Sequence, residues 1–301
     1  SLLERNFYEL PEFLREGDLL VFNDSRVFPA RLHGKIVGRT EAAIELLLLN
    51  QLGDSTWRAI VKPGKRLRRG THFVIRKGDL GVEGEILEVE ENGSRIIKLP
   101  GGASMLRELG EVPMPPYIKS SSIDPDRYQT VYARIEGSVA APTAGLHFTP
   151  RLLEELGEKG VELAFVTLHI GWGTFKPVNV ENVSDHTMHA EAYTLSNDTA
   201  NAINRAKSDG RRVVVVGTTA VRVLESLATM SEDGLLEPGS GWTDIFITPG
   251  HSFSVMNALI TNFHLPRSTL LMLTSAFTGH DLLRRAYTVA VQRRYRFYSL
   301  G

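Results

Sequence analysis

RRVVVVGTTAVRVLES, residues 211–226, decides the fold class. Four consecutive valines leave the strand no polar face, so it is buried on both sides, as in a parallel sheet covered by helices. A turn follows, and TAVRVLESLATM continues as a helix. The same alternation extends outward in both directions. TPRLLEELGEKG predicts a helix with Thr149 as N-cap, Pro150 in the first turn and a glycine stop; VELAFVTLHIG after it reads as a strand. SNDTANAINRAKSDG is a further helix, with Ala200, Ile203 and Ala206 recurring every three residues. TDIFIT reads as a strand, and the region from Ser268 to Phe297 as mostly helical. DLLVFNDS near the start joins the same sheet. The result is a layered α/β domain with a mainly parallel sheet.

Residues 30 to 100 follow another rule. RLHGKIVG, AAIELLLLN, STWRAIVKP, THFVIR, GVEGEILEVEE and SRIIKLP are short β-prone segments separated by glycine and charge, which suggests a small barrel or a sandwich. VPMPPYIK, residues 112–119, closes the block as a linker. The block is self-contained and reads as an insertion. The expected division is residues 1–30 with 116–301 as the α/β catalytic domain and 31–115 as the inserted domain.

Composition limits the chemistry. A length of 301 residues with 42% hydrophobic content supplies material for two cores. No run approaches the roughly 18 apolar residues needed to span a bilayer. SLLERNFYEL carries charges where a signal peptide would be apolar. The absence of cysteine excludes disulfides, thiol nucleophiles and cysteine-ligated metal clusters, and a cytoplasmic location is expected. Lys+Arg 34 against Asp+Glu 35 leaves a net charge of -1, so a nucleic acid must be met by a local patch. Two stretches qualify: Lys62, Lys65, Arg66, Arg68 and Arg69, and Arg284, Arg285, Arg293, Arg294 and Arg296. Each can also be an ordinary solvated face.

The histidines cluster in informative surroundings: His147 in GLHF, His169 in TLHIGWGTF, His186 and His189 in DHTMHAE, and His264 in TNFHLPRST. Each is either a packed structural residue or part of a pocket to which small neighbours admit a ligand. DHTMHAE lacks a third ligand of metalloprotease spacing, and no metal is expected. The amides at Thr218 to Ala220 open a helix where an anion can be held, although Thr219 can equally be a cap. Neither the dinucleotide fingerprint nor a P-loop is present, which argues against NAD and ATP. No G-x-S-x-G elbow surrounds Ser138 or Ser268.

Taken together, LLVFNDSRVFPARL, RYQTVYARIEGSVAAPTAGLHFT, TLHIGWGTFKPV, HTMHAE, INRAKSDGRRVVVVGTTAVRVLES, SGWTDIFITPG and ALITNFHLPRSTLLMLTSAF resemble the S-adenosylmethionine:tRNA ribosyltransferase-isomerase family of queuosine biosynthesis. The likeness covers nearly the whole chain. It implies an α/β domain interrupted by an inserted small antiparallel β-barrel. It also implies an enzyme that transfers and isomerises the ribosyl part of S-adenosylmethionine onto the 7-aminomethyl-7-deazaguanine at the tRNA wobble position, releasing adenine and methionine. S-adenosylmethionine is then a consumed substrate, no other cofactor is needed, and a monomer is expected. The competing readings are a non-catalytic RNA-binding protein and an adenine-releasing nucleoside hydrolase.

On that resemblance His147, His169 and His264 become acid/base candidates. Trp172 and Phe175 become candidates to stack on adenine or face the sulfonium. Thr143, Thr218, Thr219 and Arg222 become candidates to hold the methionine carboxylate, and Glu136 its ammonium. Asp24 and Arg26 sit in a turn after a strand, where an internal salt bridge is the plain alternative. Lys65, Arg66, Arg68, Arg69, Arg293 and Arg294 become RNA-contact candidates. Two departures stand out: family sequences extend further at both ends, and His251 occupies a position where an aromatic is usual.

Overall fold

The computed structural model describes residues 2–38, 41–115, 118, 124–171, 186–231 and 234–299. The chain forms two compact units, one of Ser1–Arg26, Asp126–Ile135 and Ala141–Gly301, the other of Val27–Pro125 with Glu136–Ala140. In chain order the strands are β1 (Leu19–Asn23), β2 (Ser25–Val27), β3 (Arg31–Ile36), β4 (Ala43–Gly53), β5 (Thr56–Lys62), β6 (His72–Lys77), β7 (Leu80–Val89), β8 (Arg95–Lys98), β9 (Ile135–Ser138), β10 (Glu162–Leu168), β11 (Glu191–Leu195), β12 (Val213–Val216), β13 (Gly239–Thr243) and β14 (Ala258–Ile260). The α-helices are α1 (Gly102–Leu109), α2 (Pro150–Glu158), α3 (Asn197–Ser208), α4 (Thr218–Met230), α5 (Thr269–Thr278) and α6 (His280–Gln292).

The first unit is built on a six-stranded sheet in the order β13-β11-β10-β1-β12-β14. β10, β1, β12 and β14 are mutually parallel, whereas β11 and β13 pair antiparallel at one end. All residues of β1 and β12 are buried, because both faces are covered. On one face Leu20, Phe22, Val214 and Val216 pack against Leu14, Ala144, Phe148, Leu152 and Leu156. Helices α3 and α4 lie against β1, β10 and β12. The α2 start is fixed by Thr149, whose side chain accepts from the Leu152 amide at 3.2 Å.

One strand differs from expectation. The TDIFIT strand forms earlier, at Gly239–Thr243, and residues 244–248 leave the sheet. Ile247 is only 2% exposed, so the apolar alternation reports burial off the sheet. The C-terminal helical region is split into α5 and α6 at Gly279, whose φ of 79° suits glycine.

The second unit is a closed antiparallel barrel in the order β3-β4-β5-β8-β7-β6, with β6 returning to β3. Leu32, Leu46, Phe73, Ile75, Ile86 and Ile97 fill its interior. Phe73 lies opposite Gly84 in register. A Cβ at Gly84 would stand 2.5 Å from Phe73 Cζ and 2.7 Å from Lys98 O, so the ring takes the place of the missing side chain. Gly84→Ala is therefore expected to destabilise the barrel by ~1–3 kcal/mol in denaturant unfolding. Gly53→Ala, whose nearest neighbour is 3.9 Å away, is expected to change it by less than about 0.5 kcal/mol.

Candidate active site

The neighbouring parallel strands β10, β1, β12 and β14 bring their carboxyl ends to one edge of the sheet, where ligands bind in open α/β folds. Asn23 ends β1 there and is fully buried. Its Nδ2 donates to Leu168 O at 3.0 Å and Thr219 Oγ1 at 3.1 Å. Its Oδ1 accepts from the amides of Leu168 at 3.0 Å and Ser25 at 3.1 Å. One amide thus fixes the end of β10, just before His169, against the first turn of α4. Gly217 is the N-cap of α4, with φ 86°, and its N–H donates to Ile260 O at 2.8 Å, which adds the end of β14. The Thr219 hydroxyl is accordingly taken by Asn23, while Thr218 is buried beside it.

Asp24 follows and is 3% exposed. Thr167 Oγ1 donates to one carboxylate oxygen at 2.7 Å, and Arg134 donates to the other at 2.9 and 3.2 Å. The salt bridge of Asp24 is therefore to Arg134, 110 residues away, whose guanidinium also lies 4.9 Å over the Phe165 ring.

His169 is half-buried, and its Nδ1 has no hydrogen-bond partner among the described residues. Burial lowers its pKa, partly opposed by the Asp24 charge. His147 closes the 3₁₀ turn Thr143–His147. The residue is exposed overall, yet its ring rests 5.3 Å from that of Phe7, and Asn262 Nδ2 lies 2.9 Å from Nε2. Desolvation of that ring, then the nearby Arg296, hold its pKa below the usual histidine range. Thr143 Oγ1 reaches Asn262 Oδ1 at 3.5 Å. His264 sits in the same loop after β14, 8% exposed, with Nε2 2.9 Å from Thr261 Oγ1. Burial pushes its pKa down to about 4.

Arg222 is buried against Glu191 in a close ion pair and also donates to Thr243 O at 3.2 Å. Glu191 accepts from the Gly171 amide at 2.7 Å, so this pair holds the chain just after His169. The acid of the DHTMHAE motif is thus engaged, and His186 packs 5.3 Å from the Phe246 ring. Among the described residues no group of three or more acids and histidines is placed to share a metal ion. Trp172 and Phe175 lie outside the described residues. A cavity of about 740 Å³ adjoins Asp24, Arg134, Phe165, Thr167, Ser196 and Arg205. It shares Asp24 and Thr167 with the strand-end cluster, and none of the three histidines lines it.

In the barrel unit Lys65, Arg66, Arg68 and Arg69 are exposed around the buried Leu67. Arg95, 7% exposed, donates to Leu67 O and Gly64 O, both at 2.9 Å, and so holds the loop from beneath. Glu136 pairs with Arg107 at 2.6 Å in the same unit. In the first unit Arg293 and Arg294 are exposed, and Arg293 pairs with Glu4 at 3.5 Å.

The model of the family described as queuosine biosynthesis protein matches residues 1–301. The chain belongs to this family. A Moorella thermoacetica protein named S-adenosylmethionine:tRNA ribosyltransferase-isomerase is 53% identical over 100% of this chain and 87% of its own length. A Clostridioides difficile protein of the same name is 51% identical over 98% and 86%. The crystal structure of an S-adenosylmethionine tRNA ribosyltransferase from Thermotoga maritima matches at 38% identity, covering 98% of this chain and 84% of that one, with a TM-score of 0.51. Within this queuosine-family chain, sequence reasoning missed Asn23 and Asn262. The signal was present as a polar residue at or just after the end of an apolar strand, in VFND and LITNFH.

His264 makes stability depend on pH. Its folded pKa lies below the unfolded value of 6.5, so between these values the unfolded chain binds more protons and stability falls with falling pH. The loss begins near pH 6.5 and is complete near pH 4, amounting to up to about 3 kcal/mol from this residue. His264→Gln is expected to flatten that part of a stability-against-pH curve; an unchanged slope would contradict the assignment.

Proposed function

We propose that this protein transfers and isomerises the ribosyl moiety of S-adenosylmethionine onto 7-aminomethyl-7-deazaguanine at the wobble position of tRNA, forming epoxyqueuosine and releasing adenine and methionine. The observation that carries the reading is a sheet edge at which His147 and His169, both held toward the neutral form, stand near small and hydroxyl-bearing residues, in a chain about half identical to proteins so named. S-adenosylmethionine is the consumed substrate and no further cofactor enters the scheme. The reading places the work in the cytoplasm with a single chain.

The chemistry suits neutral imidazoles. The sulfonium acidifies the adjacent C5′ protons, so a positioned base takes one of them. A proton donor serves adenine as its bond to C1′ breaks and the ribose opens to an aldehyde. The RNA amine adds to the opened sulfonium-bearing chain with loss of a proton, and the ylide carbon attacks the aldehyde. The alkoxide so formed displaces methionine as a neutral thioether and closes the epoxide. His147 and His169 supply these proton transfers, with His264 as the reserve candidate. Thr143, Thr218 and Thr219 are the candidates to hold the methionine carboxylate, Thr218 and Thr219 in the first turn of α4. Arg222 contributes through Glu191, by fixing Gly171 and hence the chain next to His169. Trp172 and Phe175 remain the candidates for adenine and the sulfonium.

Incubation with S-adenosylmethionine and precursor-bearing tRNA is expected to release adenine and convert the RNA nucleoside, read by mass. Release without RNA would indicate the hydrolase instead, and RNA binding without release a non-catalytic protein. His147→Ala is expected to lower kcat by ~100-fold or more.

The exposed cations Lys65, Arg66, Arg68 and Arg69 give the tRNA backbone a preformed contact, because Arg95 holds their loop. Arg293 and Arg294 are a second contact. Replacing Lys65, Arg66, Arg68 and Arg69 by Gln is expected to raise KM for tRNA at least ~10-fold and reduce its salt dependence, with KM for S-adenosylmethionine unchanged. An unchanged tRNA KM and salt slope would remove this loop from the RNA interface.

A further inference from the structure

Asn262 is held from two sides before it meets His147. Its Nδ2 donates to Tyr298 O at 2.5 Å, and its Oδ1 lies 3.5 Å from the Thr143 hydroxyl. A flipped amide would bring Oδ1 against the Tyr298 carbonyl, two acceptors facing each other with no proton between them. The NH₂ group is therefore fixed toward Tyr298, and its second hydrogen is the one presented to His147 Nε2 at 2.9 Å. An imidazole nitrogen that meets an N–H donor must offer its lone pair.

We propose that Asn262 is a positioning residue that fixes His147 as the Nδ1–H tautomer, so that this histidine serves the reaction as a neutral hydrogen-bond donor through Nδ1. The use made of the donor rests on the functional reading above; the tautomer rests on geometry alone. Adding a proton at Nε2 would set N–H against N–H, so the Asn262 contact opposes the imidazolium. The other groups at the ring act in the same sense: Phe7 desolvates it, and Arg296 repels a positive ring. The base for the C5′ proton is then the other candidate, His169, whose Nδ1 has no hydrogen-bond partner among the described residues. In these terms the two histidines have separate tasks. His147 presents a hydrogen to an acceptor on the departing adenine or the opening ribose, and His169 removes the proton from carbon.

The assignment is open to direct observation in the full-length, ligand-free protein labelled with ¹⁵N-histidine. The His147 ring signals are identified by their loss in His147→Gln, and two-bond proton–nitrogen correlations tell which nitrogen carries hydrogen. The wild type is expected to show a protonated Nδ1 and a bare Nε2. Asn262→Asp replaces the donor by an acid of the same shape, whose oxygen accepts from the ring, and is expected to place a proton on Nε2. Asn262→Ala removes the constraint and is expected to give a mixture of both tautomers. An Nε2–H tautomer in the wild type, or a bare Nε2 retained in both variants, would overturn the proposal. In turnover, Asn262→Asp is expected to lower kcat ~10-fold or more while KM for S-adenosylmethionine stays within about 3-fold. A kcat equal to that of the wild type despite a switched tautomer would overturn the donor role. An Nδ1–H signal in a protein that releases no adenine would leave the tautomer standing and count against the functional reading instead.

Discussion

The primary amide of Asn23 holds together what the rest of the site is built on. Strands of a parallel sheet are registered by backbone bonds along their length, but those bonds stop at the strand ends, where a ligand would have to bind. At that boundary Asn23 uses both hydrogens and both acceptor sites of its oxygen on three different segments. Any side chain with fewer polar sites would leave a buried carbonyl, amide or hydroxyl unanswered, a loss of about 1–3 kcal/mol for each. The position of His169 relative to the start of α4 is a consequence of that saturation.

Charge is handled by the same principle at the neighbouring positions. Asp24 and Glu191 are each 3% exposed, and each is answered by an arginine and a further donor. Such pairs contribute little net stability when desolvation is counted, but removing one partner leaves a buried charge and is strongly destabilising. What they provide is fixed geometry. Arg134 ties residue 134 to the end of β1, and Arg222 ties the segment after His169 to α4.

Much of this was legible in the sequence where a residue pattern has one physical meaning. VVVV admits only a doubly covered strand, and Thr149-Pro150 only a helix start; both occur as read. Six β segments pointed to a small closed or stacked sheet, and the closure of β6 onto β3 is a tertiary fact that strand patterns do not carry. TDIFIT was misread because alternation reports burial, and a loop can bury Ile247 as well as a strand can. The histidines were found by type and company. Their partners were not, because Asn23 and Thr219 are 196 residues apart, and Asn262 and His147 are 115 apart. No local period links such positions.

The neutrality of the histidines has a further consequence for the kind of substrate this edge can accept. S-adenosylmethionine carries a fixed positive charge at the very atom beside which a base must work. An imidazolium at that distance would repel it, at roughly 4 kcal/mol for charges 4 Å apart near a protein surface. A carboxylate base would attract the cation instead, but Asp24 and Glu191 are occupied by Arg134 and Arg222 and cannot serve. On the proposed reading, the lowered pKa of His169 meets both demands at once, because the ring that does not repel the sulfonium is also the ring with a lone pair for the proton. Partial desolvation of the two rings then serves, on that reading, binding as much as catalysis, with His169 as the base and His147 as a neutral donor.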